Sequence, residues 1–141
     1  VEQDPAWRSG LEASHTPAEA NTPDAICCAL RRVAGLLEPA ATVAYTTSGF
    51  SALRASRERP ATPILALTPQ LATARRLALV WGVHPVPFEE VHDVTEMVEH
   101  AGSAAVSHGF AGPGDVLVVI GGLPFGTSGS TNLLHVARIP G

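Results

Sequence analysis

Not one lysine occurs among the 141 residues; all nine basic side chains are arginine. Sites that move phosphoryl groups clamp their phosphates with Mg²⁺ and cationic side chains, lysine the commonest of them. A chain without lysine is a poor candidate to do such chemistry by itself. Charged residues make up only 16% and the formal net charge is −4, so no basic field draws the chain to nucleic acid. No apolar run reaches the roughly 20 residues needed to cross a bilayer, and no secretory leader is visible. Cysteine is scarce: Cys27 and Cys28 are neighbours, and adjacent cysteines rarely bridge. We read them as buried structural thiols of a reducing, cytoplasmic interior. Six histidines are scattered without HExxH or CxxC spacing, which leaves no metal-binding motif. The first residue is Val rather than Met, as in a fragment or a processed product.

What is present suits one domain with a real core: 45% of the residues are apolar, and the length is ample for burying them. Residues 1–22 are polar and contain proline, an arm or linker ahead of a domain over 23–141. Thr22-Pro23-Asp24 reads as a helix start, with Ala25, Cys28, Ala29, Val33 and Leu36–Leu37 as its apolar face to about residue 37. A strand at Ala41–Tyr45 is expected next, then a turn at Gly49 and a helix over Ser51–Arg59. A strand at Pro63–Leu67 follows, then a helix over Gln70–Trp81 capped by Thr68-Pro69 and closed by Gly82. Val83–Pro87 is extended, and Asp93–His108 is helical. Val116–Ile120 is a continuous apolar strand of the kind buried on both faces, and Leu133–Ile139 is a last strand. Strand–helix alternation ending in two strands spells a three-layer α/β/α sandwich, with a five-stranded, mostly parallel sheet and an antiparallel last strand. Ligands of such sheets sit beyond the carboxyl ends of the strands, at a topological switch point.

Two loops fall at such ends. In "YTTSGFSALR" (45–54), hydroxyls at Thr46, Thr47, Ser48 and Ser51 surround Gly49 where a helix begins. The first N–H groups of a helix lack intrahelical partners and, with the helix dipole, attract an anion. The same residues also suit a plain helix cap and turn. In "GGLPFGTSGSTN" (121–132), glycines alternate with Thr127, Ser128, Ser130 and Thr131. This segment is either a connection between two strands or, should the first and fourth strands be neighbours, the second half of a site for a phosphorylated small molecule. Neither stretch is a GxxxxGK[ST] or GxGxxG loop, and no GxSxG elbow is present.

"GLPFGTSGSTNLLHV" (122–136) resembles the closing segment of bacterial pyruvate kinases, close to G-x-P-x-G-x-x-G-[ST]-T-N-x-x-x-V. "TVAYTTSGFSALRASRERPATPILALTP" (42–69), "GVHPV" (82–86) and "GFAGPGDVLVVIGG" (109–122) are similar to further segments of that family in the same order. The resemblance is to its C-terminal domain, over about residues 20–139. It implies a role in a pyruvate kinase, a glycolytic phosphotransferase. The catalytic (α/β)8 barrel, which carries the phosphoenolpyruvate, ADP, Mg²⁺ and K⁺ sites, lies outside the stretch resembled. On that reading this chain alone is not catalytic.

The resemblance further implies an allosteric domain that binds phosphorylated metabolites within a tetramer. Carried over by position, Thr46, Thr47, Ser48, Gly49 and Ser51 would cradle the effector phosphate, and Gly126, Thr127, Ser128, Gly129 and Ser130 would lie in a flap over it. Thr131-Asn132 would fix the turn into the last strand. Members answering to fructose 1,6-bisphosphate often carry a basic residue where Thr47 or Phe50 stands, and an arginine where His108 stands. The expected effector is therefore a monophosphate: AMP, ribose 5-phosphate or a hexose 6-phosphate. His108 is a candidate helper when protonated, or a plain helix-end residue. Trp81 is expected either at a subunit contact or in the core, Arg75-Arg76 on a solvated face, and Glu89, Glu90, Asp93, Glu96 and Glu99 in acidic first turns of a helix. The rival readings are a stand-alone nucleotide- or phosphate-binding protein of the same fold, and a purely structural oligomerisation domain.

Overall fold

A computed structural model describes residues 21–89, 91–122 and 131–140. The expected arm falls outside them, except for its last two residues. Among the described residues four helices alternate with five strands: α1 Thr22–Leu37, β1 Ala41–Tyr45, α2 Phe50–Arg57, β2 Ile64–Thr68, α3 Leu71–Leu77, β3 Val83–Pro87, α4 Val94–Ser107, β4 Val116–Gly121 and β5 Leu133–Arg138. The sheet order is β3-β2-β1-β4-β5. All neighbours are parallel except β4 and β5, which run antiparallel. The three-layer reading holds, including the antiparallel last strand.

Alternation along the central strands makes the layers. Val43, Leu117 and Val119 face one core, closed by Met97, Ala101 and Ala105 of α4. Ala44, Val118 and Ile120 face the other, closed by Cys27 and Leu30 of α1, Ala52 and Ala55 of α2 and Leu77 of α3. Both faces being covered, β4 reads as an unbroken apolar run.

Three expectations are corrected in detail. The buried stripe of α1 is Asp24, Cys27, Leu30 and Ala34, whereas Ala25, Cys28 and Ala29 are exposed. Leu36 and Leu37 also stand in solvent. The stripe turns because Asp24 is buried with partners: Arg57 Nη2 lies 2.9 Å and Arg54 Nε 3.3 Å from its Oδ1. A paired carboxylate can occupy a core position that an unpaired one cannot. The cap of α1 is Asn21, which accepts from the Asp24 N–H at 3.0 Å, one residue earlier than Thr22. Third, α3 ends at Leu77 rather than Trp81. Beyond it the chain tightens into turns, Val80 N–H to Leu77 C=O at 3.0 Å and Val83 N–H to Val80 C=O at 3.2 Å. Such i→i+3 bonds bring the backbone round sharply, and Gly82, at φ +70°, delivers it to β3.

Cys27 is fully buried and Cys28 exposed, so only one of the two expected structural thiols is in the core. Burial, then the Glu58 carboxylate, pushes the Cys27 thiol from 9.0 up to about 12. The fold thus favours the neutral thiol. Its contribution is complete below pH 9 and fades as pH rises towards 12, because the unfolded chain ionises first. Two outcomes are expected. A thiol-specific reagent should titrate one cysteine in native buffer and two in denaturant. Asp24→Ala should lower unfolding stability by roughly 2–3 kcal/mol in denaturant titration, below the fully buried range because Arg57 is largely exposed.

Candidate functional site

Chain direction reverses between β1 and β4: from β1 the chain winds outward through β2 to β3, then crosses back to β4 on the other side. The carboxyl ends of β1 and β4 therefore flank the switch point where sheets of this kind bind ligands. Ala44 pairs with Ile120, and a Cβ placed on Gly121 would lie 3.6 Å from Tyr45 Cβ. Asn132 N–H donates to Gly121 C=O at 3.0 Å, so the chain leaves β4 and returns to β5 through one gate beside the first loop. Ser51 and Thr131, both buried, join their hydroxyls across that gate. The two loops expected to converge do so at their described ends. Gly126, Thr127, Ser128, Gly129 and Ser130 lie outside the described residues.

The first loop is tightly specified. Thr46 N–H extends the sheet by donating to Leu67 C=O at 3.0 Å. The Thr46 hydroxyl turns inward and accepts from Gly49 N–H at 2.8 Å. Gly49 heads α2 at φ +99°, the left-handed region that favours glycine. A Cβ here would also come within 3.4 Å of Thr73 Cγ2 and 3.5 Å of Leu77 Cδ2. The first helical bond runs from Leu53 N–H to Gly49 C=O at 2.9 Å. The N–H groups of Phe50, Ser51 and Ala52 precede it and have no helical acceptor. Phe50 N–H has the Ser48 hydroxyl at 3.5 Å, the limit of a hydrogen bond. No carboxylate belongs to the loop, residues 46–51, and the field of α2's N-terminus is positive.

The loop's carbonyls face the other way. Thr73 Oγ1 donates to Thr47 C=O at 2.9 Å. One Arg76 Nη2 donates both to Ser48 C=O and to Thr73 Oγ1, each at 3.1 Å. These α3 side chains were missed in the sequence. Arg75 and Arg76 are exposed as expected, but Arg76 reaches back to the loop. Thr73, a threonine inside a helix, was the one local hint.

Other candidates lie apart. Met97, near the start of α4, packs at the gate: its Sδ would be 3.3 Å from a Cβ on Gly121, and its C=O accepts from Tyr45 Oη at 2.9 Å. His108 caps the far end of the same helix, about 16 Å along the axis, and is exposed. The fold does not bring it to the loop. Burial, then Glu96, raises the Tyr45 phenol, which stays neutral and acts as a post beneath the gate. Trp81 is half-buried, with the Arg59 guanidinium 4.3 Å from its ring centroid. Asp93 caps α4 by accepting from Glu96 N–H at 2.8 Å, and Glu96 accepts from His92 N–H at 2.8 Å, a reciprocal cap in place of acid–base chemistry. Among the described residues no three His, Cys, Asp or Glu side chains gather to hold a metal.

The family model described as "Pyruvate kinase, alpha/beta domain" matches residues 24–137. A pyruvate kinase of Methylorubrum extorquens is 39% identical over 139 residues, 99% of this chain and 29% of the relative. One of Agrobacterium vitis is 43% identical over 133 residues, 94% of this chain and 28% of the relative. One of Geobacillus stearothermophilus is 42% identical over 113 residues, 80% and 19% respectively. The chain thus spans less than a third of the length of these curated relatives, and the match falls in their C-terminal region. With sheet order, family model and relatives in agreement, the chain belongs to the pyruvate kinase family and forms its alpha/beta domain.

Proposed function

We propose that this domain binds a phosphorylated metabolite and reports its presence to a pyruvate kinase, the enzyme that passes phosphate from phosphoenolpyruvate to ADP. The observation that carries the reading is the Thr46–Ser51 loop. It sets a left-handed glycine and three N–H groups without a helical acceptor at the β1/β4 switch point, with no acid in the loop. Neutral donors of this kind hold a phosphate without a formal counter-charge. The effector is a monophosphate, AMP, ribose 5-phosphate or a hexose 6-phosphate, because Thr47 and Phe50 provide no cation for a second phosphate. Binding would favour one quaternary state by population shift, with a coupling of about 1–3 kcal/mol. The partners are the catalytic barrel and further copies of the chain in a cytoplasmic homo-oligomer, a tetramer by analogy with the family. Large apolar side chains left in solvent, Leu36, Leu37, Leu53 and Leu79, support such contacts. No helix among the described residues is long and apolar enough to cross a membrane.

One observation favours the structural alternative. The Thr46 and Ser51 hydroxyls already have partners inside the protein, as in a domain whose loop serves only to join β1 to α2.

Calorimetry with AMP, ribose 5-phosphate and glucose 6-phosphate separates the two. We expect saturable heat with at least one, and a loss of roughly 10-fold or more in affinity for Ser48→Ala/Ser51→Ala, the worth of hydrogen bonds to a charged group. No heat with any of them selects the structural role. The purified chain should show no ADP-dependent turnover of phosphoenolpyruvate in a coupled assay; genuine turnover would contradict the assignment of catalysis to the barrel.

A further inference from the structure

The loop proposed to bind phosphate is held on one side by α3. Thr73 Oγ1 takes the carbonyl of Thr47 and Arg76 Nη2 takes that of Ser48, while the same Nη2 also donates to Thr73 Oγ1. Two successive peptide oxygens are thereby turned towards α3. In a trans peptide the N–H points opposite to the C=O. The N–H groups of the same two peptides, those of Ser48 and Gly49, therefore point away from α3. Gly49 N–H is used within the loop by Thr46 Oγ1, which leaves Ser48 N–H on the side away from α3.

We infer that Thr73 and Arg76 are positioning residues for the anion-binding loop: they hold the Thr47 and Ser48 carbonyls on the α3 side, so that Ser48 N–H, and not a peptide oxygen, is presented on the side proposed for the ligand. The inference rests on the phosphate-binding reading of that loop and adds to it the device that sets its polarity. Without the two donors, the Thr47–Ser48 peptide is free to rotate and present its carbonyl oxygen where the phosphate would sit, while the Ser48–Gly49 peptide keeps only its bond to Thr46 Oγ1. The relay Arg76 to Thr73 to Thr47 places a charged donor at its head, and hydrogen bonds in series polarise one another. Thr73 suits the post for a second reason. Its methyl group is the nearest atom to the open face of Gly49, so one side chain fixes both the loop's carbonyl and its glycine.

The test measures AMP and inorganic phosphate binding by calorimetry for four single variants and one double variant, with thermal unfolding as the folding control. Thr73→Val removes the hydroxyl at nearly constant shape and should weaken both ligands about 10-fold. Thr73→Ser, which keeps the hydroxyl, should stay within about 2-fold. Arg76→Ala should weaken binding about 10-fold, whereas Arg76→Gln, a neutral donor on a shorter side chain, should recover part of the loss. That recovery separates positioning from simple attraction by charge. Because both residues act on one pair of peptides, Thr73→Val/Arg76→Ala should lose little more than either single change. The inference is overturned if the parent chain binds AMP and Thr73→Val binds it equally well, if Arg76→Gln is as weak as Arg76→Ala, or if the two losses multiply. Absence of any binding by the parent chain overturns the phosphate-loop reading itself, and the positioning role with it.

Discussion

The parallel pairing of β1 with β4 is the constraint on which the rest depends. Strands separated by most of the chain lie side by side with Ala44 opposite Ile120, and both are buried on two faces. That burial fixes the register, because a slip of one residue would exchange the residues facing the two cores. Once the register is set, the loop after β1 and the gate between β4 and β5 share one edge of the sheet. The Ser51–Thr131 contact and the Gly121–Asn132 bond are consequences of that pairing.

The loop so formed offers dipoles more than charges. Nine arginines are the whole cationic complement. Two of them, Arg54 and Arg57, are committed to Asp24 in the α1–α2 contact. Arg76 acts on the loop's carbonyls from the outer side. What the loop 46–51 offers is backbone N–H, the Ser48 hydroxyl and the N-terminal field of α2. Such donors are preorganised by the fold and need no rearrangement when an anion arrives. On the proposed reading they would also favour modest charge, since a second phosphate would find no cation in the loop.

Much of this was legible in the sequence, and the exceptions share a cause. The strand Val116–Gly121 announced itself because burial on both faces demands an unbroken apolar run. Gly49 was legible because a hydroxyl-flanked glycine between strand and helix has few other uses. The buried face of α1 was misread because Asp24 belongs to it only through arginines 30 and 33 residues further on. The end of α3 was misread because the need to pair β3 with β2 outweighs the helical preference of the residues around Leu79. Thr73 and Arg76 were missed since their partners lie 26 and 28 residues away. Each of these three failures involves a contact between distant parts of the chain, which local pattern does not record. The family resemblance supplied order and function, but not these contacts.

The most direct measurement is a two-dimensional ¹⁵N–¹H resonance titration of the chain with AMP. The account predicts saturable shifts concentrated at the amides of Ser48, Phe50, Ser51 and Ala52, with Thr131 following and His108 unmoved. Shifts that cluster at the opposite end of the sheet, or that leave the amides at the head of α2 unchanged while AMP binds, would contradict it.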